Sequence, residues 1–118
     1  FNITDIIVDD NPAIISNVRQ PENSSPTDWK LSQNHPNPFN AETLISYQVP
    51  KASHVKIEIY NLLGQCLRIL VNEEKTPGDY QTIWNGKDEN GRSVGSGIFV
   101  YRMQAGQFSA IRKMVLVQ

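Results

Sequence analysis

HVKIEIY, residues 54–60, is the stretch that decides the fold. Val55, Ile57 and Ile59 fall on one side of an extended chain and His54, Lys56, Glu58 and Tyr60 on the other, the period-two pattern of a half-buried strand. TLISYQV, residues 43–49, precedes it with Ile45, Tyr47 and Val49 in phase, and Pro50-Lys51-Ala52-Ser53 reads as a short turn between the two. Downstream, Asn61-Leu62-Leu63-Gly64 is a reversal, with glycine where a left-handed residue is required. QCLRILV (65–71) is less regular, as in a bulged strand, and residues 72–78 read as a charged loop closing on Pro77-Gly78. DYQTIW (79–84) sets Tyr80, Thr82 and Trp84 on one face. Residues 85–97 form a glycine-rich connection holding the turn dipeptide Asn90-Gly91. IFVYRMQ (98–104) and residues 107–117 then make a hairpin about Ala105-Gly106. Phe99, Tyr101 and Met103 share a face on its first arm, and Met114 and Leu116 on its second. No segment keeps a 3.6-residue apolar period over three turns. Short strands closed by turn signals predict an all-β fold, an immunoglobulin-like antiparallel β-sandwich of about seven strands.

The 118 residues bound the chain to one domain, with or without a tail. Six of the seven prolines lie in the first fifty residues and all seven glycines after residue 63. Proline stiffens extended segments and glycine supplies positive-φ turns, so the split predicts a stiff leader joined to a turn-rich body. Residues 1–30 carry two positive and five negative groups, net −3, and 31–118 carry nine and seven, net +2. Residues 1–8 (FNITDIIV) contain one β-branched burst, and residues 17–27 hold two prolines and almost nothing apolar. Residues 1–26 are therefore expected to be a linker or the end of a preceding domain, and 27–118 the sandwich. The overall net charge of −1 leaves no basic excess to hold nucleic acid, and no apolar run approaches the roughly 20 residues of a transmembrane segment. The single Cys66 excludes an internal disulfide framework and a cysteine-based zinc cluster.

Enzymatic chemistry has little to stand on. Cys66 lies within a strand with no nucleophile turn around it and reads as a small apolar filler, while His35 and His54 have no metal-ligand spacing. Glu73-Glu74 and Asp88-Glu89 adjoin lysines and read as solvated loop charges. Lys87-Asp88-Glu89-Asn90-Gly91 has part of the alternation of a calcium loop but lacks its further carboxylates, so a turn on Asn90-Gly91 is expected instead. No cofactor is expected. Trp84, Tyr80, Phe99 and Tyr101 fall on the inward phase of their strands and read as core, leaving Tyr60 and Trp29 as the aromatics open to a sugar-binding role. Asn2-Ile3-Thr4 and Asn23-Ser24-Ser25 match the N-glycosylation triplet, which is common by chance.

Gln33-Asn34-His35-Pro36-Asn37-Pro38-Phe39-Asn40 has two prolines one residue apart among three asparagines. Proline restricts its own φ and the residue before it, and asparagine side chains bond to nearby backbone in place of a ladder. The segment is expected to be a rigid, non-repetitive lead-in that docks Phe39 as a plug on one end of the core.

With Trp29-Lys30-Leu31-Ser32 before it, this segment closely resembles the opening of the C-terminal sorting domain of the type IX secretion system, where an aromatic and a leucine precede Gln-Asn-Tyr-Pro-Asn-Pro-Phe-Asn. The likeness continues in order. Residues 43–50 resemble the first strand, and Ile59-Tyr60-Asn61-Leu62-Leu63-Gly64 the family's Tyr-Asp/Asn-x-x-Gly turn. Leu70-Val71-Asn72-Glu73, Pro77-Gly78-Asp79-Tyr80, Trp84-Asn85-Gly86 and Asn90-Gly91-Arg92-Ser93-Val94 follow. Ser96-Gly97-Ile98-Phe99-Val100-Tyr101 and Lys113-Met114-Val115-Leu116 complete it. His35 and Phe99 stand where the family has tyrosine, and Ala41 where it often has proline.

The resemblance covers about residues 27–118 and implies a non-catalytic transport address in a protein of Bacteroidota. Family members carry an N-terminal signal peptide for the inner membrane and end just after this domain. In the periplasm the folded domain is recognised by the outer-membrane translocon and its shuttle proteins. A sortase cuts ahead of it while attaching the N-terminal cargo domain to the cell surface. Cleavage is expected in residues 17–27, an extended polar segment that a protease cleft admits. By position, the resemblance places translocon recognition on Pro77, Gly78, Tyr80, Gly97, Phe99, Tyr101, Arg112 and Lys113, and a docking motif on Asn34, Pro36, Asn37, Pro38, Phe39 and Asn40. The same sandwich resembles the immunoglobulin-like domain of flagellar hook-capping proteins, so a carbohydrate-binding or purely structural accessory module of a secreted protein stays open beside the address. The final hairpin is expected to offer an exposed edge for strand addition.

Overall fold

The alternation in residues 43–60 is realised in two packed antiparallel sheets. The computed structural model describes residues 26–118; the two glycosylation triplets, the β-branched burst and nearly all of the proposed linker lie outside the described residues. Seven strands follow in order: β1 (Lys30–Leu31), β2 (Thr43–Val49), β3 (Ser53–Tyr60), β4 (Cys66–Lys75), β5 (Gly78–Trp84), β6 (Gly97–Ala105) and β7 (Phe108–Leu116). One sheet has the order β1-β2-β5 and the other β4-β3-β6-β7, as in an immunoglobulin-like sandwich. There is no helix among the described residues, hence none long and apolar enough to cross a membrane.

The inward phase of each strand fills one core. Ile45, Tyr47 and Val49 from β2 and Trp84 from β5 face Val55, Ile57 and Ile59 from β3, Phe99, Tyr101 and Met103 from β6, and Met114 and Leu116 from β7. These positions are the ones the period-two pattern selects, because only one face of each sheet meets the other. Phe99 sits edge-on to Trp84 with centroids 5.4 Å apart, and the Trp84 Nε1–H donates to the Lys87 carbonyl at 2.9 Å. The indole therefore packs its apolar body while keeping its donor satisfied.

The structure departs from the sequence reading at β4. The polar and charged residues Asn72, Glu73, Glu74 and Lys75 continue the strand, paired with Lys56, Val55, His54 and Ser53, and the expected loop shrinks to residues 76–77. An edge strand needs only one paired side and tolerates charge on exposed positions, so its end resembles a loop in composition. The expected irregularity is present: register shifts fall between Ile57 and Glu58 and between Ile59 and Tyr60.

Candidate functional site

The lead-in is a clasp between the sheets. Its backbone first follows β2: the His35 and Leu44 amides exchange hydrogen bonds with each other's carbonyls at 2.9 and 2.8 Å. It then crosses to β7, where the Phe39 amide donates to the Val115 carbonyl at 3.0 Å and the Val117 amide to the Phe39 carbonyl at 2.9 Å. Asparagines make the crossing possible by capping groups that a regular ladder would satisfy. The Asn34 side chain is buried and donates to the Pro36 carbonyl at 3.1 Å and to Thr43 Oγ1 at 3.0 Å; Thr43 in turn donates to the Pro36 carbonyl at 2.8 Å. Asn37 Oδ1 accepts from the Val115 amide and Asn40 Nδ2 donates to the Val117 carbonyl, each at 3.0 Å. Pro36 and Pro38, both following cis peptide bonds, are exposed, while Phe39 is buried against Trp84 at 5.7 Å. Phe39 thus enters the core, while Asn34, Asn37 and Asn40 bond the segment to its surroundings. A correction follows for the final hairpin: the clasp occupies the outer edge of β7 from Lys113 to Val117, so that part is unavailable for strand addition.

The eight residues nominated for recognition do not form one surface. Gly78 and Tyr80 on β5, and Gly97 and Phe99 on β6, repeat one device. In each pair the aromatic ring lies over the glycine, about 3.7 Å from where a Cβ would stand. A ring two residues along covers the backbone that a side-chainless strand position exposes. The Tyr80 ring also stacks on Tyr47 at 5.5 Å, lies under the Lys75 ammonium at 4.8 Å, and donates its hydroxyl to the Thr76 carbonyl at 2.6 Å. Pro77 is exposed just before it. Tyr101 is fully buried, and its hydroxyl reaches out of the core to the Ser32 carbonyl at 2.6 Å. Burial pushes that phenol up to about 12. Arg112 and Lys113 are exposed on β7, where the Arg112 Nε–H donates to the Leu31 carbonyl at 2.9 Å and the Lys113 carbonyl receives the Gln33 amide at 2.7 Å. Tyr101, Arg112 and Lys113 therefore bond to residues 31–33, at β1 and the start of the clasp, while Pro77, Gly78 and Tyr80 belong to the opposite edge of the sandwich.

A polar cluster that no motif announces lies on the outer face of the four-stranded sheet. Glu58 and Arg102 are cross-strand partners, and Tyr60 follows two residues along β3 on the same face. The Tyr60 hydroxyl donates to Glu58 Oε1 at 2.7 Å, Arg102 contacts the same oxygen at 3.3 Å, and the Lys56 ammonium stands 3.4 Å from Oε2. Burial alone raises a carboxyl, but these donors and charges outweigh it and hold Glu58 below the ordinary carboxylate range. The Arg102 Nε atom is buried without a partner among the described residues. Cys66, expected as a core filler, is exposed instead, because the bulged end of β4 leaves the core. Its thiol sits 3.8 Å from Glu58, and burial together with that negative charge pushes it up, away from the thiolate a nucleophile requires. His54 bonds to Asn72 at 2.6 Å and approaches Glu74 at 3.3 Å.

Two loops share one construction. In residues 61–65 Asn61 Oδ1 accepts from the Leu63 and Gln65 amides, while the Asn61 amide donates to the Gln65 carbonyl and the Gly64 amide to the Asn61 carbonyl. In residues 88–92 Asp88, Asn90, Gly91 and Arg92 make the same four bonds. Gly64 at φ 85° and Gly91 at φ 79° take the left-handed position in each. Asp88 thus anchors a turn, and Glu89 accepts from the Ile69 amide at 2.6 Å at the edge of β4, so neither is a merely solvated charge. No three His, Cys, Asp or Glu side chains converge as a metal site among the described residues.

The chain matches the family described as the secretion system C-terminal sorting domain over residues 34–118. Among solved structures it is similar to part of dimeric latent PorU from Porphyromonas gingivalis, with a TM-score of 0.62 and 18% identity, covering 85% of this chain and 10% of that one. It is also similar to part of PorZ from the same organism, an essential surface component of the type-IX secretion system, with a TM-score of 0.52 and 16% identity, covering 73% of this chain and 11% of that one. At these identities the two structures speak for the fold, and the chain spans about a tenth of either. No curated protein matches the chain.

Proposed function

The chain belongs to the family of secretion system C-terminal sorting domains, and from that premise we propose that it is a non-catalytic address carrying an N-terminal cargo across the outer membrane through the type IX machinery. The observation that carries the reading is that the family match, residues 34–118, takes in the clasp and every strand except the two-residue β1. Translocon and shuttle proteins read the folded sandwich, and a sortase then cuts in residues 17–27 as the cargo is fixed at the cell surface. The domain is taken to begin at residue 27, just before Trp29 stacks on Phe108 at 5.5 Å and Lys30 pairs with Gln48. A protease cleft needs extended chain, and the backbone from Lys30 onward is already engaged in the sheet. Recognition is proposed to involve the Pro77-Gly78-Tyr80 edge, the strand of Gly97, Phe99 and Tyr101, and the exposed Arg112 and Lys113.

A sugar-binding module draws no support from a particular ring: Tyr60 is held by Glu58 and Arg102, and Trp29 is stacked on Phe108. The test is export. A passenger fused to the whole chain is expected at the surface of a host with a working type IX system and in the periplasm of one without it. A passenger retained inside the competent host overturns the proposal.

A further inference from the structure

The two outer faces of the sandwich differ in chemistry. On the three-stranded sheet the outward positions of β2 and β5 are Leu44, Ser46 and Gln48 beside Ile83, Gln81 and Asp79, with Lys30 of β1 across from Gln48, a mixed row with one charge of each sign. On the four-stranded sheet the outward side carries Lys56 and Arg102, both bonded to the buried Glu58, with Lys113 on β7 and, at the far end of β4, Glu74 beside His54. Beside Arg102 runs a groove of about 350 Å³ lined by Tyr60, Leu62, Val100 and Ile111, and Lys113 is the cross-strand partner of Val100 at its rim. Leu62 is 66% exposed, Leu63 84% and Ile111 63%. Two leucines at the tip of a turn leave apolar surface in water with no folding gain, because the turn is held by Asn61 and Gly64. A contiguous apolar groove with Arg102, paired to Glu58, in its wall and the exposed Lys113 at its rim has the character of a binding surface.

We propose that this groove docks an extended, acidic protein segment that inserts an aliphatic side chain between Leu62, Val100 and Ile111 and sets carboxylates on Arg102 and Lys113. Charge complementarity selects the occupant: a second copy of the chain would bring cations to cations, and a sugar polyanion would satisfy the rim but leave the aliphatic floor uncovered. The Arg102 guanidinium is pre-oriented, since Glu58 and Tyr60 hold one of its nitrogens at 3.3 and 3.0 Å. Fixing it in the free protein lowers the ordering cost of binding. The proposal rests on the sorting reading and names a surface by which the export machinery grips the domain.

The test uses the whole chain fused to a passenger in the competent host, in four forms: unsubstituted, Leu62→Asp/Ile111→Asp, Lys113→Glu, and Ile83→Asp on the other face as control. All the substituted positions are exposed, and thermal melts of the purified forms check that each is folded. Surface passenger is expected to fall about tenfold or more for the double variant, as when a central apolar anchor is lost, severalfold for Lys113→Glu, and not at all for Ile83→Asp. Lys113→Glu leaves the apolar floor intact and serves if the double variant does not fold. A passenger retained even with the unsubstituted chain overturns the sorting reading and this proposal with it. Equal export of the unsubstituted chain and the folded groove variants overturns this proposal alone.

A titration separates the occupants. The methyl signals of Leu62, Val100 and Ile111 are expected to shift saturably with the peptide Ac-Glu-Leu-Glu-Leu-Glu-NH2. Equal shifts with Ac-Glu-Ser-Glu-Ser-Glu-NH2 or dextran sulfate, or no saturation with the leucine peptide, overturn the aliphatic insertion.

Discussion

Phe39→Ala tests whether the clasp is part of the cooperative fold or a strap laid over it. The ring is 2% exposed, packs on Trp84 at 5.7 Å, and sits where the chain bonds to both Val115 and Val117. Removing a buried phenyl from a site that cannot collapse costs about 3–5 kcal/mol. Collapse is restricted here, because Trp84 is held by its bond to Lys87 and by Phe99, and the clasp backbone is pinned at His35 and again at Val117. A loss of about 3 kcal/mol or more is expected, against a total of about 5–15 kcal/mol for a domain of this kind. With a urea dependence of roughly 1–1.5 kcal/mol per molar for such a chain, the unfolding midpoint moves down by about 2–3 M. Urea melts followed by tryptophan fluorescence and by far-ultraviolet dichroism measure this shift and whether the two signals coincide. Hydrogen exchange at the Val117 amide, which donates to Phe39, reports the clasp itself. If the midpoint moves by less than about 0.5 M while Val117 loses its protection, the clasp opens independently of the sandwich and the reasoning is wrong.

Three further outcomes follow from the geometry. Glu58 has a folded value below its ordinary one, so its stabilising contribution is present above the ordinary carboxylate range and is lost as pH falls through the lowered value; Glu58→Gln should flatten that acid limb in melts recorded against pH. Tyr101 has the opposite sign: raised to about 12, it favours the folded state until pH climbs through its ordinary value of 10 towards 12. Tyr101→Phe should cost about 1 kcal/mol at neutral pH through the lost bond to Ser32, and should make alkaline unfolding less steep. Gly64→Ala and Gly91→Ala should each cost about 1 kcal/mol through positive φ alone, since a Cβ at either meets nothing within 4 Å. Unequal costs in urea melts would show that the two loops differ in more than sequence.

The half-buried strands were legible because burial on one face writes a period of two into residues 43–49 and 54–60. The last four residues of β4 were not, because an edge strand in water is under no such constraint and Asn72-Glu73-Glu74-Lys75 has the composition of a loop. Residues 33–40 announced a rigid lead-in through their prolines and asparagines, but the passage from β2 to β7 depends on long-range pairing that local chemistry does not encode. The cluster of Glu58, Tyr60 and Arg102 needs the register of β3 on β6, which sequence spacing cannot supply. One signal for the groove was present and unused, the pair Leu62-Leu63 in a turn whose geometry asks only for Asn61 and Gly64.

The motifs that make this chain recognisable and the surface that a partner can touch are therefore largely different sets of residues. Gly78 and Gly97 lie under their own aromatic rings, Tyr101 and Phe39 are buried, and Asn34 is spent on backbone that the clasp would otherwise leave unsatisfied. Such residues are constrained by closing a small sandwich, where one unsatisfied carbonyl or one missing ring costs a large share of the total stability. The exposed surface that these residues hold in place includes Arg112 and Lys113 and the aliphatic groove beside Arg102. Exposed side chains of that kind can be exchanged without unfolding the domain, so they leave a weaker mark on the sequence than the interior does. The interior identifies the fold, and substitutions on the exposed faces, which leave that interior intact, are the ones that can separate recognition from folding.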